Sequence, residues 1–225
     1  MTNELTGKTV VVLGATGNVG AGAVQGALGR GARVIVSSRS ADGVAALRKT
    51  WAGQNVEVLE GDLATQLTEV DHVVASMGGW WTRPGRFEDQ PAASWPEVRG
   101  MLLDSHVIAA TTLLPKVRES GSYTLITGAG AITPMPTAHL LTIALGGTLA
   151  LSRVLRFEHR SSGCRVNEVR ISSRIEKVPR PGVVPSADFG RALTKLLEAD
   201  VRSAIVPFTR PETFDPAVHL PDGQP

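Results

Sequence analysis

Apolar residues fall in two rhythms along this chain. Short runs rich in valine and isoleucine recur at Thr9–Leu13, Arg33–Ser37, Val56–Glu60, His72–Ser76, Tyr123–Thr127, Arg165–Ile171 and Ala204–Pro207. Their length and β-branching predict strands buried on both faces. Between them, stretches with helical spacing run over Val19–Gly29, Gly43–Trp51, about Trp95–Val117, about Ala138–Arg160 and Ala187–Ala199. Strand and helix alternate from the start, which predicts an α/β chain with a doubly wound, mostly parallel sheet of seven strands and helices on both faces. There is no internal repeat and no dividing linker, so residues 1–225 are read as a single domain. From about residue 208 a proline-bearing segment is expected to form a surface tail. Two loops stand out: Gly78–Pro96, with adjacent tryptophans, and Ser172–Pro185, rich in Arg and Pro.

Composition narrows the classes. The chain is 42% apolar and 20% charged with a net charge of +2, a globular balance. No basic block or aromatic–basic stripe points to nucleic acid. Met1–Lys8 is polar and lacks the apolar stretch of a secretory signal. The apolar stretch His139–Leu155 is interrupted by Gly146, Gly147, Thr148, Ser152 and Arg153, and is read as a buried or interface helix and not a membrane span. The single Cys164 excludes an internal disulfide framework and suits a reducing cytoplasm, where it packs as a small apolar group. No metal site is expected.

The chemistry gathers at the ends of the early strands. Directly after Thr9–Leu13 comes Gly14-Ala15-Thr16-Gly17-Asn18-Val19-Gly20. A strand that breaks into glycines and opens a helix brings main chain against a pyrophosphate, with the helix N-terminus supplying unpaired N–H groups. Gly14, Thr16, Gly17, Asn18, Val19 and Gly20 are therefore candidate dinucleotide contacts. An NAD site usually carries an acid about 20 residues further on. Here the second strand ends in Ser37-Ser38-Arg39, two hydroxyls and a guanidinium suited to a 2′-phosphate, so NADP(H) is favoured over NAD(H). Asp62-Leu63 follows the third strand, where a carboxylate can accept from an adenine amino group or cap a helix. Ser76-Met77-Gly78 ends the fourth and leaves backbone room beside a ribose.

With these residues in view the chain resembles the short-chain dehydrogenase/reductase family. The carriers are Gly14 to Gly20, Arg39, Asp62-Leu63, Asp71 to Gly78 and Arg165-Val166-Asn167-Glu168-Val169, and the likeness runs from Lys8 to about Pro207. Two residues separate successive glycines, a spacing similar to the atypical branch that holds the NmrA-like cofactor sensors. The resemblance implies a Rossmann-type fold and a tetrad of Tyr, Lys, Ser and Asn for proton transfer beside a hydride donor. Counting from Leu151-Ser152-Arg153 and Glu158 puts the Tyr position at Leu141 and the Lys position at Leu145. The Ser position falls on Gly128, and counting back from Pro115 puts the Asn position at Leu102. All four lack polar function, and the lone tyrosine, Tyr123, is followed four places on by Thr127.

Other groups could take the missing role. Asp104 and His106 lie near the Asn position, and His106, one turn past Leu102, shares its face. His139 and Thr142 flank Leu141, with His139 turned elsewhere on the helix. Trp80, Trp81 and Arg83 are expected near the nicotinamide end, with Leu102, Gly128, Leu141 and Leu145 completing an apolar pocket. Arg170, Arg174 and Arg180 fall in the segment that usually forms the substrate lid. Three functions fit: an NADP(H)-dependent oxidoreductase of non-standard mechanism on a small molecule, a non-catalytic NADP(H) sensor, or a non-redox enzyme of cyclase or dehydratase type. The resemblance also implies a homo-oligomer, dimer or tetramer, in which two long helices pair across a two-fold axis.

Overall fold

The computed structural model describes residues 4–61 and 63–222. The chain runs β1 (Thr9–Leu13), α1 (Asn18–Gly29), β2 (Arg33–Ser38), α2 (Ala41–Thr50), β3 (Val56–Glu60), α3 (Leu63–Gln66) and β4 (Val70–Ala75). There follow α4 (Trp95–Arg99), a π-helical turn over Gly100–Asp104, α5 (Ser105–Leu113), β5 (Val117–Gly128) and α6 (His139–Glu158). The last elements are β6 (Arg165–Ile171), β7 (Ile175–Glu176), β8 (Val184–Pro185), α7 (Ser186–Glu198) and β9 (Ile205–Phe208). Seven strands form one sheet in the order β3-β2-β1-β4-β5-β6-β9, every neighbouring pair parallel. This is the Rossmann-like doubly wound architecture, with the strand order reversing between β1 and β4.

Alternation along β1 divides the core. Val10 and Val12 face one side with residues of α1, α2 and α7. Val11 and Leu13 face the other with Ala109 and Leu113 of α5 and Leu155 of α6. On the first side α1 and α7 meet backbone to backbone. A Cβ on Gly26 would stand 2.2 Å from the Gly190 carbonyl oxygen, and one on Gly190 would stand 1.9 Å from the Gly22 carbonyl oxygen. Only hydrogens at these positions allow the two helices this spacing.

Two expectations need correction, and two segments gain detail. The long helix expected over Trp95–Val117 is broken: five residues in π geometry separate α4 from α5, and β5 begins at Val117. Arg170 is a core residue of β6 and not a lid charge. Its side chain is 3% exposed and pairs at 2.7 Å with Glu168, which also accepts from Thr127 at 2.7 Å and Ser152 at 2.6 Å. A buried carboxylate survives only when so supplied with donors, and this set fixes α6 against β5 and β6. The lid segment itself contains β7 and β8, a two-stranded parallel pair. The segment read as a surface tail begins inside β9 and returns Phe214, 3% exposed, to the core against the Phe208 ring at 5.7 Å between centroids.

By length and composition α6 is long and apolar enough to cross a membrane, with a mean hydropathy of 1.4 in its most apolar window. Here it packs on the sheet through Ser152 and Leu155, and joins the apolar cluster with Val98 and Leu102 through Leu141 and Ala144.

Candidate functional site

The carboxyl ends of β2, β1, β4 and β5 lie side by side along one edge of the parallel sheet, and each carries part of the expected site. At the end of β1, Gly14 takes φ +75°, and a Cβ there would stand 2.4 Å from the Ser76 carbonyl oxygen. Gly20 is equally constrained, its Cβ position lying 2.3 Å from the Gly14 carbonyl oxygen. The Gly17 amide closes the turn on the Gly14 carbonyl at 3.0 Å. Ser76 braces the turn from β4, its hydroxyl donating to the Leu13 carbonyl at 2.5 Å. The first helix then starts without a side-chain cap, and Thr16, Gly17 and Asn18 are exposed while Val19 packs inward. Its first amides have no side-chain cap, and the first amides of a helix lack intrahelical acceptors, which is the general basis of anion binding at helix N-termini.

At the end of β2, Ser38 is half-buried and Arg39 is exposed. Among the described residues Arg39 has no ion pair and no hydrogen bond. Ser40 caps α2, accepting from the Gly43 amide at 3.1 Å. Asp62 lies outside the described residues, and Leu63 opens α3 packed against the core. Past β4, Met77 is half-buried and Gly78 exposed. Lys177, just after β7, reaches back to this region and donates to the Thr16 carbonyl at 2.8 Å. Sequence reasoning missed it, since nothing local marks a contact between residues 161 apart.

Beside this polar half lies an apolar wall. Leu102, in the π turn, is 4% exposed and Leu141 is 2% exposed; they share a cluster with Val98, Ala138, Leu140 and Ala144. Leu145, Trp81, Trp95 and Met135 pack against it. Three of the four residues at the tetrad positions therefore belong to one packed cluster. The fourth, Gly128, ends β5, and a Cβ there would meet nothing within 4 Å. The two adjacent tryptophans part company: Trp81 joins the wall, while Trp80 is 71% exposed and does not. Trp95 was not singled out in the sequence, although it opens the helix that carries Leu102.

The titratable groups nearby are engaged elsewhere. The His106 side chain is buried, and its Nε2 donates to the Met77 carbonyl at 3.1 Å. Burial holds its pKa below the ordinary histidine value despite that hydrogen bond. Asp104 pairs with Arg99 at 3.0 Å across the π turn. His139 bonds the Gly85 carbonyl at 3.0 Å and steadies the loop before α4. Tyr123 is fully buried, and burial pushes its phenol far up, so it exchanges no proton with a ligand. Burial likewise raises the Cys164 thiol to about 11, which leaves it inert.

Comparison with known proteins agrees with the fold. A family model described as enoyl-(acyl carrier protein) reductase matches residues 14–173. Short-chain dehydrogenase/reductase iacG of Pestalotiopsis fici is 25% identical over 222 residues, covering 86% of this chain and 87% of that protein. A solved short chain dehydrogenase/reductase family protein superposes with a TM-score of 0.79 at 19% identity, covering 92% of this chain and 97% of the other. The short-chain dehydrogenase/reductase from Serratia marcescens superposes with a TM-score of 0.77 at 17% identity, covering 92% and 98%.

Proposed function

The chain belongs to the short-chain dehydrogenase/reductase family, and from that membership we propose that it binds NADP(H) across the β1–β4 switch point and acts as an oxidoreductase of non-standard mechanism on a small molecule. One observation carries the reading. The Gly14 turn, pressed against Ser76 with no room for a Cβ, leads into α1 without a side-chain cap, and the neighbouring strand β2 runs out into Arg39, which has no counter-charge among the described residues. The amides of the first turn of α1, Asn18 to Gly20, would hold the pyrophosphate, and Ser38 and Arg39 the 2′-phosphate. Met77 and Gly78 would line the ribose.

When bound, the cofactor supplies hydride. Leu102, Leu141 and Leu145 carry no proton, so they exclude water and orient an apolar ligand face. His106 and Asp104 are held by Met77 and Arg99. The proton of a reduction therefore comes from water or from the substrate, which favours acceptors such as enones over simple ketones.

Titration calorimetry with NADPH, NADP+, NADH and NAD+ tests the cofactor. NADPH should bind most tightly, and Arg39→Ala should weaken it about tenfold or more while leaving NADH unchanged. No binding to any of the four would overturn the reading. Turnover with a panel of enones and ketones then separates it from a second one. Leu102 and Leu141 are packed shut, which favours a protein that binds NADP(H) and reports its state without chemistry. In either case Ile108, Val154 and Phe157, exposed by 64%, 50% and 64% on α5 and α6, are the apolar surface through which copies of the chain would assemble.

A further inference from the structure

We infer that Lys177 is a pyrophosphate-binding residue, a cation that the segment between β7 and β8 delivers to the mouth of the Gly14–Gly20 turn. This rests on the dinucleotide reading above and deepens it. The ammonium lies 2.8 Å from the Thr16 carbonyl oxygen, in the turn that opens α1 without a side-chain cap.

Charge accounting in the segment sets Lys177 apart. Arg174 pairs with Glu176 at 2.5 Å, and Arg180 pairs with the same carboxylate. Both guanidiniums thus share one buried acid, which is 6% exposed. Lys177 is adjacent in sequence, is exposed, and among the described residues has no carboxylate partner. A carbonyl oxygen uses one of its three donors and none of its charge. An uncompensated ammonium fixed beside open helix N-terminal amides makes a site for a doubly charged anion, with cation and amides approaching it from two sides. The contact with Thr16 also gives Lys177 a fixed position, so less side-chain entropy is lost when the anion arrives.

The test compares wild type with Lys177→Met and Lys177→Arg by calorimetry, using NADPH, NADH and adenosine 2′-phosphate, which lacks the pyrophosphate. The methionine variant should bind the dinucleotides about tenfold more weakly and adenosine 2′-phosphate unchanged, and arginine should restore most of the loss. Unchanged dinucleotide affinity in Lys177→Met overturns the proposal. So does an equal loss for adenosine 2′-phosphate, which would place the effect in general damage to the cleft. A wild type silent to NADPH and NADH overturns the cofactor reading itself, and Lys177 falls with it. Thermal unfolding of both variants, expected at the wild-type temperature, separates lost contact from lost fold.

Discussion

His106 Nε2 donates to the carbonyl oxygen of Met77 at 3.1 Å, tying α5 to the turn that follows β4. A carbonyl can only accept, so the proton is on Nε2 and the buried Nδ1 is left without a partner. The ring is thus committed to shaping the cleft and is not free to act as an acid. His106→Ala should destabilise the fold by about 2 kcal/mol, through a cavity and an orphaned carbonyl. It should also weaken dinucleotide binding several-fold by loosening Met77 and Gly78. Urea unfolding and calorimetry read the two effects. A variant of unchanged stability would show that the bond holds nothing.

The contact between α1 and α7 makes a sharper steric prediction. A methyl on Gly190 cannot fit beside the Gly22 carbonyl at 1.9 Å, so Gly190→Ala must push the helices apart and should cost about 3 kcal/mol. Gly29, also in α1, has nothing within 4 Å of its Cβ position, and Gly29→Ala should stabilise by about 0.5 kcal/mol. Denaturant midpoints of the pair should move in opposite directions.

Stability should also fall in mild acid, chiefly through His72. This ring is buried on β4, bonded through Nδ1 to the Ser122 hydroxyl at 2.9 Å. Burial, with the Arg165 cation nearby, pulls its pKa from 6.5 down to about 4. The unfolded chain binds a proton near 6.5 while the native state refuses it until about 4, so the unfolded state holds more protons in between. The stabilisation is complete above about 6.5 and is lost as the pH falls toward about 4, by about 3 kcal/mol. Urea midpoints should decline over that window in wild type and more shallowly in His72→Gln. A midpoint rising toward acid would contradict the assignment.

These contacts mark what a sequence can and cannot carry. β1 and β6 end where their apolar runs end, because a short buried strand leaves its signature in consecutive residues, and the half-buried edge strand β3 keeps the same bounds. The Gly14–Gly20 turn is local too, and its role follows from glycine chemistry alone. The π turn at Leu102 was not legible, since one extra residue in a turn does not change which positions are apolar. Gly22 and Gly190 were unremarkable until α1 and α7 were laid together. Phe214 looked like tail, and only the aromatic contact with Phe208 shows it as core. Arg170, expected in the lid segment, is buried because Glu168, two residues earlier on the same strand face, supplies its partner.

The tetrad positions themselves can be probed by putting side chains back. Gly128 ends β5 beside open space, so Gly128→Ser should fold within about 0.5 kcal/mol of wild type. Leu141 is 2% exposed among Val98, Leu102 and Ala144, where a phenol is larger than the gap and its hydroxyl has no polar neighbour in the cluster. Leu141→Tyr should therefore cost about 1–3 kcal/mol from overpacking, with more if the hydroxyl stays unpaired. Neither variant should gain reduction of simple ketones, because Leu102 and Leu145 still offer no group to relay the proton. If Leu141→Tyr proved as stable as wild type, the wall would be looser than its packing indicates. The cleft would then have room for a ligand against Leu141, and the catalytic reading would gain over the sensor.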